Sequence, residues 1–92
     1  MEFYWDEVED NSYILYQKGN AYPLLKLYWC NDCECYHCES ETFDFYTYYD
    51  CEEDLIESEE ELLEIVKEDL IESLKEKVNY IIELICAIDK IE

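Results

Sequence analysis

Four cysteines and the chain's sole histidine fall within nine residues, Cys30-Asn31-Asp32-Cys33-Glu34-Cys35-Tyr36-His37-Cys38. The spacing is C-x2-C-x-C-x2-C. Two residues between cysteines let a tight turn aim both sulfurs at one ion, and four thiolates suit the tetrahedral preference of zinc. Cys30, Cys33, Cys35 and Cys38 are therefore the candidate metal ligands, with Cys51 as a replacement if one cluster thiol points away. The single residue between the two pairs would demand a tightly wound backbone. The same segment thus also reads as a β-turn flanked by small reduced thiols, which pack as apolar residues, or as a source of a disulfide. Cys86, and Cys51 if it is not a ligand, read as packing residues.

Catalysis by one of these thiols would need a base in reach. His37 is the one imidazole, and on a strand it would point away from its neighbour Cys38. The negative surroundings also disfavour a thiolate. No Gly-rich phosphate loop or nucleophile elbow is present. The chain has no arginine with which to grip a phosphate or carboxylate substrate. These features point away from an enzyme.

The elements that must position the cluster are legible on both sides of it. Met1, Phe3 and Trp5 alternate with polar residues up to a turn signal at Asp10-Asn11, and residues 12–17 continue with Tyr13, Ile14, Leu15 and Tyr16. Such residues suit a pleated surface. Lys18-Gly19-Asn20 predicts a tight hairpin turn, because Gly and Asn tolerate positive φ. A third strand is expected over 24–30, with Pro23 at its start. A fourth is expected over 42–49, with Phe43, Phe45, Thr47 and Tyr49 on one face and Asp44, Tyr46 and Tyr48 on the other. Four strands with short links imply an antiparallel meander, one face of which must be covered.

The second half supplies the cover. Ser58-Glu59-Glu60-Glu61 is a capping box, with carboxylates at the positive end of the helix dipole. Leu62, Val66, Leu70, Leu74, Val78, Ile81, Ile85 and Ile88 then recur every three or four residues, the helical period. A continuous helix to the end of the chain would be about 50 Å long, well beyond the radius of gyration of about 13 Å usual near a hundred residues. It must overhang, bend near Asn79, or meet a second subunit. Residues 80–88 are apolar almost all round, which favours folding back near Asn79 or homodimerisation through Tyr80–Ile91. The expected architecture is one α+β domain over 1–92: a four-stranded antiparallel meander in 1–50 packed against a long or broken amphipathic helix in 58–91.

Charge bounds the partners. Twenty-six acidic residues face six lysines, a formal net charge of −20 on 92 residues. That is far beyond the magnitude of roughly 2–8 usual for a small domain. Half the chain is nevertheless apolar and 16% aromatic, so this is not a disordered acidic tail. The charge is also distributed, net −13 over 1–57 and −7 over 58–92. DNA and anionic membranes should repel such a protein. No run of some eighteen apolar residues suggests a membrane span, and the acidic start is unlike a signal peptide. A cytoplasmic protein with reduced thiols is expected.

A folded polyanion can occupy a cleft built to hold nucleic acid, steered there by charge. Glu57, Glu61, Glu64, Glu68 and Glu72 form a row at helical spacing, neighbours about 5–6 Å apart. Glu39, Glu41 and Asp44 are their counterparts on the sheet, and Glu52, Glu53 and Asp54 lie at the corner between sheet and helix. The ten tyrosines supply contact area of the kind enriched at interface anchors. The same row also reads as a solvated helix face, or as the composition of a protein adapted to a salty cytoplasm.

In size, charge and sheet-plus-helix layout the chain resembles the small acidic inhibitors encoded by phages and mobile elements. These include anti-CRISPR and anti-restriction proteins and inhibitors of uracil-DNA glycosylase. The likeness is compositional and spans the whole chain, with no motif to transfer. It implies a non-enzymatic inhibitor that mimics nucleic acid and binds a basic nuclease or CRISPR–Cas effector in the host cytoplasm. An immunity-type module that plugs a toxic nuclease, and a small zinc-binding structural protein, are the alternatives.

Overall fold

Alternation of large and polar side chains draws the first half into five strands in the computed structural model, which describes residues 2–52 and 55–91. They are β1 (Phe3–Glu9), β2 (Ser12–Gln17), β3 (Leu25–Cys30), β4 (Cys35–Ser40) and β5 (Phe45–Tyr49). All neighbours are antiparallel, in the order β1-β2-β3-β4-β5, which is the meander that short links impose. The sheet thus has five strands where four are expected. The additional one is the cysteine segment itself: Tyr36, Cys38 and Ser40 are buried, while Glu39 between them is exposed. This period of two is a strand signal that the metal-like spacing masks.

The turns explain the other boundary differences. Asn11 takes a φ of 60° between β1 and β2, and a register shift between Glu7 and Glu9 leaves Val8 as an extra residue. Gly19 has φ 87°, and the Asn20 N–H donates to the Gln17 carbonyl, so the expected turn forms. It opens a longer link, however, held by the Tyr22 N–H on Asn20 Oδ1, and β3 begins at Leu25. The strand expected from residue 42 starts at Phe45 because residues 41–44 are spent in turning, with Asp44 at φ 49°. Ser40 fixes that turn from inside. Its buried hydroxyl donates to the Leu24 carbonyl at 2.6 Å and accepts from the Phe43 N–H at 3.0 Å.

One helix, α1 (Glu59–Asp89), covers one face of the sheet. Ser58 Oγ accepts from the Glu61 N–H at 3.2 Å, and the Glu61 carboxylate reaches back to the Glu57 N–H at 2.9 Å. Leu62, Val66 and Leu70 are buried against Leu15, Leu25, Leu27, Cys38, Phe45 and Tyr49. Lys77 fastens the next turn, donating to the carbonyls of Phe43 and Asp44 and to Ser73 Oγ.

The helix does not break near Asn79, since no Gly or Pro interrupts it. Its 31 residues make it about 46 Å long. The sheet supports little more than the first half, and every residue from 78 to 91 is exposed. The radius of gyration is accordingly 16.1 Å and the long axis 56 Å. No helix among the described residues is long and apolar enough to cross a membrane.

Candidate metal centre and acidic surface

The β3–β4 hairpin brings the cluster together on the sheet face that α1 leaves open. Cys30 and Cys35 are cross-strand partners, and the four residues between them form the turn. Glu34 closes the turn at φ 52°, a conformation that costs a non-glycine residue about 1 kcal/mol. The Trp29 indole N–H reaches over the turn to Asn31 Oδ1 at 2.9 Å. Beside it runs a groove lined by Trp29, Cys33 and Glu34 on one side and Asp50, Cys51 and Glu52 on the other.

His37 is on the same outward face, two residues beyond Cys35. Its Nε2 lies 2.9 Å from Cys33 Sγ and 3.6 Å from Cys35 Sγ. The ligand atoms of Cys30, Cys33 and His37 all lie within 4.8 Å of one another, so these three could hold a metal ion. A tetrahedral ion with metal–sulfur bonds of about 2.3 Å separates its ligands by about 3.5–3.8 Å. Closure therefore needs side-chain adjustment and no refolding. Tyr28 stacks on the imidazole, with ring centroids 5.5 Å apart, and its hydroxyl donates to Glu39 Oε1 at 2.7 Å. That carboxylate raises the Tyr28 pKa and keeps the phenol neutral.

The turn also polarises its thiols. Hydrogen bonds from the Cys33 thiol and from the Cys33 and Asp32 N–H groups lower the pKa of Cys30. The same thiol–thiol bond, aided by desolvation and by Cys35, pushes Cys33 up to about 12. The pair is thus asymmetric: the Cys33 thiol and the backbone N–H groups ease proton loss from Cys30, while Cys33 holds its own proton more tightly.

Of the expected set Cys30, Cys33, Cys35 and Cys38, the first two converge with His37, while Cys35 and Cys38 lie outside that group. Cys38 sits in the core at 1% exposure, against the helix, and burial raises its thiol to about 12. His37 faces the other way, because residues 35 and 37 share one strand face and residue 38 occupies the other. Cys35 is buried at the foot of the cluster, its sulfur 3.6 Å from His37 Nε2. Cys51 packs against the core and lines the groove opposite Cys33, and Cys86 is exposed on α1.

The expected acidic residues divide between two surfaces. Glu61, Glu64, Glu68 and Glu72 are exposed on the side of α1 away from the sheet, with Glu57 just ahead of them. Glu41 and Asp44 are exposed in the β4–β5 turn, and Glu52 follows β5 beside the cysteine hairpin. Glu39 points out from the opposite face of the sheet, so one flat partner cannot cover it together with the helix row. Glu53 and Asp54 lie outside the described residues. Among the described residues two ion pairs form, Lys18 to Glu2 at 3.2 Å and Lys67 to Glu64 at 4.0 Å, both well exposed.

Strand pairing also gathers tyrosines on the open sheet face, a grouping not read from the sequence. Tyr28, His37 and Tyr48 form one cross-strand ladder, and Glu39 pairs with Tyr46 in the next. Tyr4 stacks on Tyr16 with centroids 5.7 Å apart.

This combination of meander, single overhanging helix and thiol–imidazole hairpin has no counterpart among the proteins compared with it. No family model matches the chain, and neither the curated proteins nor the solved structures give a match.

Proposed function

We propose that the protein is a non-enzymatic inhibitor that binds a basic protein and occupies its nucleic-acid cleft with the carboxylates of α1. The observation that carries this reading is how little of the charge is neutralised internally. A chain of net charge −20 forms two exposed ion pairs among its described residues. The row Glu64, Glu68 and Glu72 stands on a rigid helix at near-phosphate intervals, with Glu57 and Glu61 at its head. Repulsion among these groups destabilises the free protein, and a Lys- and Arg-lined cleft relieves it on binding. Such clefts draw much of their affinity from phosphate neutralisation. The partner class is a nuclease, a restriction enzyme or a CRISPR–Cas effector.

The test is a pull-down from a bacterial lysate on immobilised protein, with and without excess duplex DNA. Capture of a nucleic-acid enzyme that the DNA displaces supports the reading. Capture of a partner indifferent to DNA and to salt overturns it.

A second reading attaches to the hairpin. The convergence of Cys30, Cys33 and His37, with Cys35 close behind, favours a structural zinc ion that staples β3 to β4. The two readings are compatible, since the hairpin lies on the face opposite the acidic row.

A further inference from the structure

The part of α1 beyond the sheet is the least charged stretch of a highly charged molecule. Residues 78–91 contain Glu83, Asp89 and Lys90, a net charge of −1, against −20 for the whole chain. Eight large apolar side chains in the same stretch are 42–75% exposed. A patch of that extent marks an interaction site on a soluble protein.

Its pattern identifies the occupant. Ile71, Leu74, Val78, Ile81, Ile85 and Ile88 alternate three and four residues apart, the repeat that keeps one seam turned toward a partner helix. Leu70 is the last helix residue buried by the sheet and Leu74 still packs partly against it, so the seam runs from the edge of the sheet out into the overhang. A basic partner of the kind the acidic row calls for finds almost no charge to match here. A second copy brings the same neutral, complementary seam, and its acidic body is the one obstacle.

Antiparallel pairing removes that obstacle. The overhang of fourteen residues is about 20 Å long, so the two bodies sit at opposite ends of the helix pair. The Debye length at physiological ionic strength is about 8 Å, so the bodies are largely screened from each other. Antiparallel helices also set their dipoles head to tail.

We infer that the overhanging half of α1 is a homodimerisation arm, pairing antiparallel with the arm of a second copy through the seam from Ile71 to Ile88. The full chain therefore sediments at twice its 11.2 kDa mass. Self-association tightens as NaCl rises from about 50 to about 500 mM, because salt screens the remaining repulsion. This sign is opposite to that of carboxylate-driven binding to a basic protein, so the two proposals fail separately.

The experiment is sedimentation equilibrium on the full chain at both salts. The variant Ile81→Glu/Ile85→Glu should weaken the dimer at least about 100-fold. Both side chains are solvent-exposed in the single chain, so circular dichroism should report an unchanged sheet. A Glu64→Lys/Glu68→Lys/Glu72→Lys control should still dimerise. A mass of one chain at both salts overturns the proposal. So does unaltered association of the Ile81→Glu/Ile85→Glu variant, and so does a one-chain mass with co-sedimentation on phosphatidylcholine vesicles, which would assign the arm to lipid.

Discussion

His37 Nε2 lies 2.9 Å from Cys33 Sγ on the open face of the sheet, although three residues and the end of the hairpin turn lie between them. Cys38, adjacent to His37 in sequence, faces the other way and is closed off by α1. Strand parity, and not proximity in sequence, therefore decides which groups can share an ion.

Metal binding tests that division. Cobalt(II) added to the reduced protein should give the sulfur-to-metal charge-transfer absorption of a thiolate-ligated tetrahedral site. Cys33→Ser and His37→Ala should each greatly weaken it. Cys38→Ala should leave the band intact while lowering the melting temperature, because it deletes a core side chain. If the protein binds zinc, a chelator should also lower Tm, since an ion held by the native hairpin stabilises it. A band lost in Cys38→Ala and kept in His37→Ala would restore the four-cysteine set.

The alternation behind this division was present in the sequence. Tyr36, Cys38 and Ser40 against Cys35, His37 and Glu39 is a strand pattern, but a spacing of paired cysteines competes with it and reads as a loop. The capping box at Ser58, the apolar stripe through Leu62, Val66 and Leu70, and the facing of Phe45 and Tyr49 follow from local rules, and the structure has them. The starts of β3 and β5 depend on the backbone turns at residues 18–24 and 41–44, whose lengths residue type alone does not determine. Continuity of α1 past Asn79 was equally undetermined, because a wide apolar arc suits either a fold-back or a partner.

Alkali should unfold the domain through groups that burial keeps protonated. The Cys38 thiol has an ordinary pKa near 8.5–9 in the unfolded chain and is raised to about 12 by burial in the fold. The Tyr13 hydroxyl is buried with no hydrogen-bond partner among the described residues. Burial, with the Glu59 carboxylate nearby, raises its pKa as well. Each group binds a proton more tightly in the fold than in the unfolded chain. Their contribution is complete below the unfolded pKa and is lost as pH rises toward the folded value. Stability should thus fall between about pH 9 and 12 through Cys38, by up to about 1.4 kcal/mol per pH unit, with Tyr13 adding to the decline above about pH 10. Urea midpoints across this range should show the decline, and Cys38→Ala should flatten it. An unchanged slope in Cys38→Ala would mean that the thiol is not the titrating group.

Lys77 is the tie between the helix and the β4–β5 turn. Its ammonium donates to two backbone carbonyls and Ser73 Oγ from a part-buried position. Lys77→Met keeps the stem and deletes the donors, and should cost about 1–2 kcal/mol. That corresponds to a Tm lower by at least about 5 °C in a domain this size. Asp44→Gly should act in the opposite direction by about 0.5–1 kcal/mol, because it relieves the positive φ of the same turn. Equal Tm values for Lys77→Met and the parent would show that the turn holds without the tie.

Self-repulsion makes the acidic row measurable without a partner. Glu64→Lys/Glu68→Lys/Glu72→Lys takes the formal net charge from −20 to −14. All three residues are exposed, and the Lys67–Glu64 pair that is lost spans 4.0 Å at the surface, so it contributes under about 1 kcal/mol. Glu61 is left in place because its carboxylate caps the Glu57 N–H. Added NaCl should raise the parent's Tm by screening like charges. At about 20 mM NaCl the triple variant should melt above the parent and gain less from salt. The same variant should lose binding to any partner that DNA displaces. Higher stability together with retained binding would place the contact elsewhere, and the open sheet face of Glu39, Tyr46 and Tyr48 would be the next surface to reverse.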